Sequence, residues 1–306
     1  FFAAIYFFAP ILVFISMYRV SKRFGLSDLS SSVAALIYTF SPVIWNSVND
    51  GRLGTLIIAI LIPSFLSLNP FDTSVNVSWR KIYGITLFAG FIGAFSPFLL
   101  TLWTLILGTL LFIDIYKRRA EIKDKRLLKF LVTSNFEVEK RKLALFLIPI
   151  SLNFPWSASF IIHPTQILLD PGLPIPGGSP LSLAIFNPGG LSGVPIWIFS
   201  PMFIYLLVIL FSKKFYKIGF ISSALLILAI LLSPLHITGH GSIGKFWGGS
   251  IILVAEILLI PRLLQIGNEL LPNLRNSRLG LGHIVAAIIS LLTIFSIVMT
   301  SAWVYP

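Results

Sequence analysis

The sequence predicts an all-α, polytopic integral membrane protein with about ten transmembrane helices, and three observations carry that expectation. The 306 residues are 56% apolar and only 11% charged, with a mean hydropathy of +0.93, whereas a soluble chain carries about 25% charged residues. The apolar residues gather in repeated runs of roughly 15–22, near the ~20 that a helix needs to cross the hydrocarbon core. The basic residues, in turn, alternate from loop to loop. A chain with so little polar surface has lipid as the solvent for much of its length. Residues 1–306 are therefore read as a single polytopic membrane domain, not as the two or so soluble domains that the length alone suggests.

The first run, 1–18, ends at Arg19, Lys22 and Arg23. The second, 31–48, contains Pro42 and gives way to Asn49-Asp50-Gly51-Arg52, where Asp-Gly is a turn pair because glycine reaches positive φ cheaply. A third, 53–68, stops at Asn69-Pro70. Runs at 82–95 and 97–116 are split at Ser96-Pro97, the pattern of a tight helical hairpin. Residues 117–142 form a basic inner segment in which Leu127, Leu128, Phe130 and Leu131 mix with Lys125, Arg126 and Lys129, as in an amphipathic helix lying on the bilayer. The next span, 143–157, is broken by Pro149 and Pro155. A long Pro/Gly-rich outer loop, 158–194, follows without any Lys or Arg. Spans near 195–211, 217–234, 248–266 and 283–303 complete the set.

Numbering the loops alternately assigns 21 of the 23 Lys and Arg residues to one side. These are Arg19, Lys22 and Arg23, then Arg80 and Lys81, the ten within 117–142, then Lys213, Lys214 and Lys217, and finally Arg262, Arg275 and Arg278. Only Arg52 and Lys245 fall on the other side. Such a split follows the positive-inside rule, and a miscounted span would scramble it. The expected location is the plasma (inner) membrane, multi-pass, with both ends of the chain on the outer face. The net charge of +12 is then topological, adding attraction to anionic inner-leaflet lipid, and no nucleic-acid partner is expected.

The absence of cysteine removes thiolate and disulfide chemistry. No Walker A motif, no G-x-G-x-x-G before a helix and no H-E-x-x-H occurs. The outward face gathers Asp50, Arg52, His163, Asp170, His236, His240 and Lys245. Long loops without a helical pattern tend to be functional, so 158–194 reads as a cover over a lipid-borne ligand, its plainer reading being a stiff connector. Asp50 and Arg52 are either a turn with a local ion pair or a carboxylate and guanidinium placed to hold a sugar hydroxyl and a phosphate. His236 and His240 have a four-residue spacing that suits a metal only on a helix, and Gly239 and Gly241 argue for a loop. No metal site is assigned and no cofactor is expected, the lesser reading being a divalent metal on His236 and His240 with His163 and Asp170 as further ligands. Glu256 lies mid-span among apolar residues, where an ionisable group costs a few kcal/mol and is a functional candidate, or else is bonded to a Ser, Thr or Trp of a neighbouring helix. Trp156, Trp197, Trp247 and Trp303 read as interfacial anchors.

Ala34-Ala-Leu-Ile-Tyr-Thr-Phe-Ser-Pro42, Asp50-Gly-Arg-Leu-Gly54 and Ile62-Pro63 together resemble membrane glycosyltransferases of the GT-C type. Gly51-Arg-Leu-Gly54, with Leu169-Asp-Pro-Gly172 and Phe186-Asn-Pro-Gly-Gly190, is similar to the polytopic C-terminal membrane part of actinobacterial family-2 glycosyltransferases. The resemblance extends over the whole chain and implies a GT-C-like helical fold, an outer-face site and a polyprenyl-phosphate-linked sugar. It also implies a catalytic acid in a first outer loop and, in the narrower family, a soluble glycosyltransferase domain on the same chain. The chain opens inside an apolar run, so both are expected upstream of Phe1 and the catalytic residues themselves are unassigned, with Asp50 and Asp170 as weak candidates.

The resulting expectation is the membrane portion of a cell-envelope glycosyltransferase, a hexosyl- or pentosyltransferase. Its partners are the lipid bilayer and a lipid-phosphate-linked sugar. Arg52, Lys245, His163, His236 and His240 are its substrate-binding candidates, and Glu256 its intramembrane polar group. The alternatives are a transporter or flippase of a lipid-linked sugar, which calls for polar groups inside the helices, and a non-catalytic membrane anchor.

Overall fold

The computed structural model describes the chain except for residues 1, 75, 118–136, 169–176, 191–197, 199, 240, 241, 276–279 and 305–306. Most of the basic segment 117–142 therefore lies outside the described residues, and with it the expected surface helix. The chain divides into two compact units, one formed by Phe1–Ser64 with Asp170–Pro306 and the other by Phe65–Leu169.

The first unit contains α1 (Phe2–Arg23), α2 (Asp28–Thr39), α3 (Pro42–Asn49) and most of α4 (Leu53–Ser67). The second contains α5 (Trp79–Phe95), α6 (Pro97–Lys117), α7 (Glu137–Leu152), α8 (Trp156–Ile162) and a 3₁₀ turn, Pro164–Leu168. The chain then returns to the first unit with α9 (Pro180–Ala184), α10 (Ser200–Leu210), α11 (Tyr216–Leu232), the strands β1 (His236–Gly239) and β2 (Ser242–Lys245), α12 (Gly249–Arg275) and α13 (Leu281–Val304). Among the described residues, two helical stretches, Pro97–Lys117 and Gly249–Leu270, are long and apolar enough to cross a membrane by length and composition. Leu53–Ser67, Pro201–Leu210, Tyr216–Leu232 and Ala286–Ser301 are shorter apolar helices.

Three expectations change. The run 31–48 is two helices instead of one span, because Pro42 has no N–H to continue a helix while Ser41 caps a new one by accepting from Val43 N at 3.2 Å. The run 143–157 does not break at Pro149, which stays inside α7. Finally, His236–Gly239 and Ser242–Lys245 pair as antiparallel strands, with His236 opposite Lys245 and Gly239 opposite Ser242, where loop in an all-α chain is expected. By contrast, the hairpin expected at Ser96-Pro97 is present as α5 and α6.

A proline inside a helix cannot donate to the carbonyl four residues earlier, and in apolar surroundings that carbonyl needs another donor. In the first unit Pro63 strands the Ala59 carbonyl, which accepts instead from the buried Tyr38 hydroxyl of α2 at 3.2 Å. In the second, Pro149 strands Leu145, whose carbonyl accepts from the Trp103 indole N–H of α6 at 3.2 Å. The Asn153 side chain then ties the end of α7 to α5, donating to Pro149 O at 2.8 Å and to Gly90 O at 2.9 Å.

Along the first unit, α12 runs against α2 and is joined to it and its flanks at several heights. Asn268 accepts from Ser30 at 3.0 Å, Gln265 donates to Phe24 O at 2.6 Å, Arg262 lies 4.4 Å over the Phe24 ring, and Glu256 accepts from Ser41 at 2.9 Å. The two hydroxyl contacts are 12 residues apart on α12 and 11 apart on the chain of α2, about 18 and 17 Å at 1.5 Å per residue, as antiparallel neighbours require.

If the tyrosine serves the proline, the two must be coupled. Tyr38→Phe alone is expected to cost about 1–3 kcal/mol in thermal unfolding of the detergent-purified chain, by leaving a buried carbonyl without a donor. In a Pro63→Ala background, where the substituted residue restores the backbone donor, the same change costs much less. Equal costs in both backgrounds would disprove the coupling.

Candidate functional site

The strongest polar constellation forms where α3 ends. Asp50 caps α3, its N–H donating to Asn46 O at 2.9 Å. Gly51 follows at φ +68, and the chain closes with Gly51 N to Val48 O at 3.3 Å and Arg52 N to Ser47 O at 2.8 Å, the paired bonds of a Schellman motif. The expected Asp-Gly turn is therefore present. Because residues four apart share a helix face, it places Asp50 beside Asn46.

A second segment meets this turn. Helix α9 is capped by Ser179, which accepts from Ser182 N at 3.2 Å, and ends in another Schellman pair, Phe186 N to Leu183 O at 3.0 Å and Asn187 N to Ser182 O at 2.9 Å. The left-handed position of that motif is held by Phe186, at φ +68 and fully buried, where a bulky residue is strained. Strain of this sort is kept only where its surroundings over-determine it, and it gathers at functional sites. Next, Asn187 Oδ1 accepts from Gly189 N at 3.0 Å, Gly178 N donates to Pro188 O at 2.8 Å, and Gly177 bridges Gly189.

The Gly189 carbonyl thus presented takes two donors, the Asn46 side-chain amide and the Trp247 indole N–H at 3.4 Å. The Arg52 guanidinium stacks on the same Trp247 ring, 4.1 Å from its centre. In a desolvated setting such a contact contributes about 2 kcal/mol. At Gly190, φ is +140, and an added Cβ would lie 2.5 Å from an Asp50 carboxylate oxygen and 2.5 Å from Asn46 Nδ2.

The expected outward cation Arg52 is consequently a buried one, only 3% exposed, because Trp247 covers it. Trp247, expected as an interfacial anchor, is only 2% exposed and forms a wall of the cluster, whereas Trp156 is 73% exposed. The outer loop 158–194 is not free of helix: α8 ends in it, and the 3₁₀ turn and α9 lie within it. His163 is exposed at the end of α8, in the second unit, and so belongs to a different unit from the cluster. His236 and Lys245 pair across the two strands, two residues before Trp247. Asp170 and His240 lie outside the described residues. Among the described residues no three His, Cys, Asp or Glu side chains gather as a metal site.

Glu256 is fully buried and bonded to Ser41, one of the partners expected for it. The same Ser41 oxygen accepts from Val43 N, so a single hydroxyl caps α3 and bonds one oxygen of the acid, whose Oε2 has no partner among the described residues. Sequence reading missed Asn46, Trp247 and the carbonyl of Gly189. The available signals were the i, i+4 pairing of Asn46 with Asp50 and the two glycines, Gly248 and Gly249, directly after Trp247. A tryptophan next to such small residues has room to fold inward.

Compared with family models, curated proteins and solved structures, the chain matches none.

The packing at Gly190 is directly testable. Gly190→Ala combines a backbone angle that costs about 1–3 kcal/mol with a collision against Asp50 and Asn46, so a clear fall in melting temperature of the purified chain is expected. A stability unchanged from the parent would show that the Asn-Pro-Gly-Gly segment does not dock on the turn.

Proposed function

We propose that the chain is the multi-pass membrane portion of a cell-envelope glycosyltransferase, and that the cluster of Asn46, Asp50, Arg52, Trp247 and the Gly189–Gly190 segment recognises a polyprenyl-phosphate-linked sugar at the outer membrane edge. One observation carries the reading. The Asp50-Gly-Arg-Leu-Gly54 and Phe186-Asn-Pro-Gly-Gly190 segments, more than 130 residues apart, converge with Trp247 in a single buried polar cluster. Its groups suit that ligand: the arginine fork matches phosphate oxygens, a carboxylate and an amide accept and donate to sugar hydroxyls, and the low surrounding dielectric strengthens each contact.

In chemical terms, a carboxylate deprotonates the acceptor hydroxyl while Arg52, with Lys245, steadies the departing lipid phosphate. Asp50 is the carboxylate nearest that role on this chain. The general base itself is expected on the soluble domain or first outer loop that the family resemblance implies.

Multi-pass insertion in the inner membrane is part of the proposal. Supporting it are the one-sided distribution of Lys and Arg and the apolar stretches Pro97–Lys117 and Gly249–Leu270, which at 21 and 22 residues extend about 32 and 33 Å. The cysteine-free sequence makes the topology easy to test. A membrane-impermeant maleimide is expected to label Thr165→Cys on intact cells, and Asn76→Cys and Lys217→Cys only after permeabilisation. Labelling of all three from outside would refute the topology.

For the activity, membrane vesicles are given a radiolabelled polyprenyl-phosphate sugar and transfer is followed. Arg52→Ala and Asp50→Asn are expected to lower transfer at least tenfold at unchanged protein level, with Lys245→Ala reducing it less and Arg52→Lys restoring part of the Arg52→Ala loss. Undiminished transfer in both Arg52→Ala and Lys245→Ala would rule out the phosphate role. Sugar-lipid crossing the bilayer without transfer would point to a flippase instead.

A further inference from the structure

A second feature of the first unit lies toward the other end of α12 from the cluster. An open groove of about 570 Å³ runs between α10 and α12, within the roughly 300–1,000 Å³ of small-molecule sites. One wall is Ile204, Leu207, Val208 and Phe211, spaced i, i+3, i+4 and i+7, a single helical stripe. The other is Ile266 and Leu270 of α12, and at one end sit Ser212, Lys213, Lys214 and Glu269. Phe211 is 87% exposed and Leu270 48%, so the stripes leave apolar surface uncovered among the described residues.

We propose that this groove binds one anionic phospholipid of the inner leaflet, its phosphate held by Lys213 and Lys214 and an acyl chain lying on the α10 stripe. The polarity runs in one direction. The stripe ends as α10 ends, at Leu210 and Phe211, and Lys213 and Lys214 follow, so the groove passes from apolar wall to cations at one end. Those cations belong to the Lys-rich set of loops, and clusters of lysine beside a membrane helix attract anionic lipid.

Among the described residues Glu269 is the one carboxylate lining the mouth, ion-paired with Lys214. Both side chains are more than half exposed, 54% for the acid and 61% for the lysine, so the pair contributes little on its own and opens easily to admit a phosphate. Lys213 and Lys217 keep the end net positive. A protein partner would be expected to meet this wall with its own aromatic or arginine anchors on an apolar core without a charge gradient. The passage from an apolar stripe to exposed lysines at one end favours lipid.

This inference rests on the membrane placement of α10 and α12, and not on sugar transfer. The test uses the full chain, reconstituted in vesicles of mixed phosphatidylglycerol and phosphatidylcholine, then extracted gently and assayed for retained lipid by native mass spectrometry. The parent is expected to retain phosphatidylglycerol preferentially. Lys213→Gln/Lys214→Gln is expected to lower that retention about tenfold, and Leu207→Trp, which fills the groove and leaves the charge untouched, to do the same. Lys22→Gln, at another basic helix end, should not. An unaffected Leu207→Trp, or an equal loss in Lys22→Gln, would overturn the site in favour of a diffuse surface attraction. The Lys217→Cys labelling separates the two ideas: inside labelling with no retained lipid rejects the groove alone, whereas outside labelling rejects the membrane placement.

Discussion

A backbone carbonyl buried among apolar groups must have a donor, and the packing of α4 and α7 depends on how that demand is met at their prolines. Pro63 and Pro149 each remove an N–H and each leave a carbonyl exposed to hydrocarbon-like surroundings. The replacements are aromatic side chains from neighbouring helices, Tyr38 and Trp103, whose rings pack as apolar bodies while a single polar atom reaches the vacancy. Because each replacement comes from another helix, tolerating the proline and pairing the helices are one event.

The same economy applies to the polar side chains of α12. Glu256 shares the hydroxyl that starts α3, Arg262 lies on Phe24, and Gln265 and Asn268 tie the far end of α12 to the α1–α2 corner. These ties set how α12 lies along α2, and so bring its first turn to the end of α3. Trp247 stands directly before that turn. The position of the indole under Gly189 and over Arg52 is thus a consequence of contacts several turns away.

This geometry gives the cluster its character. Arg52 is held by a ring face and shielded from water, so its charge acts at short range with little screening. The Asn-Pro-Gly-Gly segment offers backbone to the turn because Gly190 has no side chain to interpose, and the strained Phe186 fixes the angle at which the segment arrives. The lysines at the end of α10, by contrast, are exposed and loosely paired, a setting suited to a fluid headgroup and not to a positioned reactant.

Much of the local structure was legible in the sequence because it follows from short-range chemistry. Apolar runs located most helices to within a few residues, Ser96-Pro97 divided α5 from α6, and Asp50-Gly51 ended α3 in the turn expected of it. Periodicity could not show that Pro42 would split one run into two helices while Pro149 would not split another, since the outcome rests on whether a neighbour such as Trp103 can supply the missing donor. Nor could it find the strands His236–Gly239 and Ser242–Lys245, whose pairing is made by residues too few and too rich in glycine to leave a pattern. The sequence by itself determined which residues are apolar, where turns are cheap and in which loops the lysines and arginines gather. Tertiary structure alone decided that Asn46, Asp50, Arg52, Gly189, Gly190 and Trp247 meet. Their meeting depends on contacts between segments some 50 to 200 residues apart, and no local preference encodes that distance.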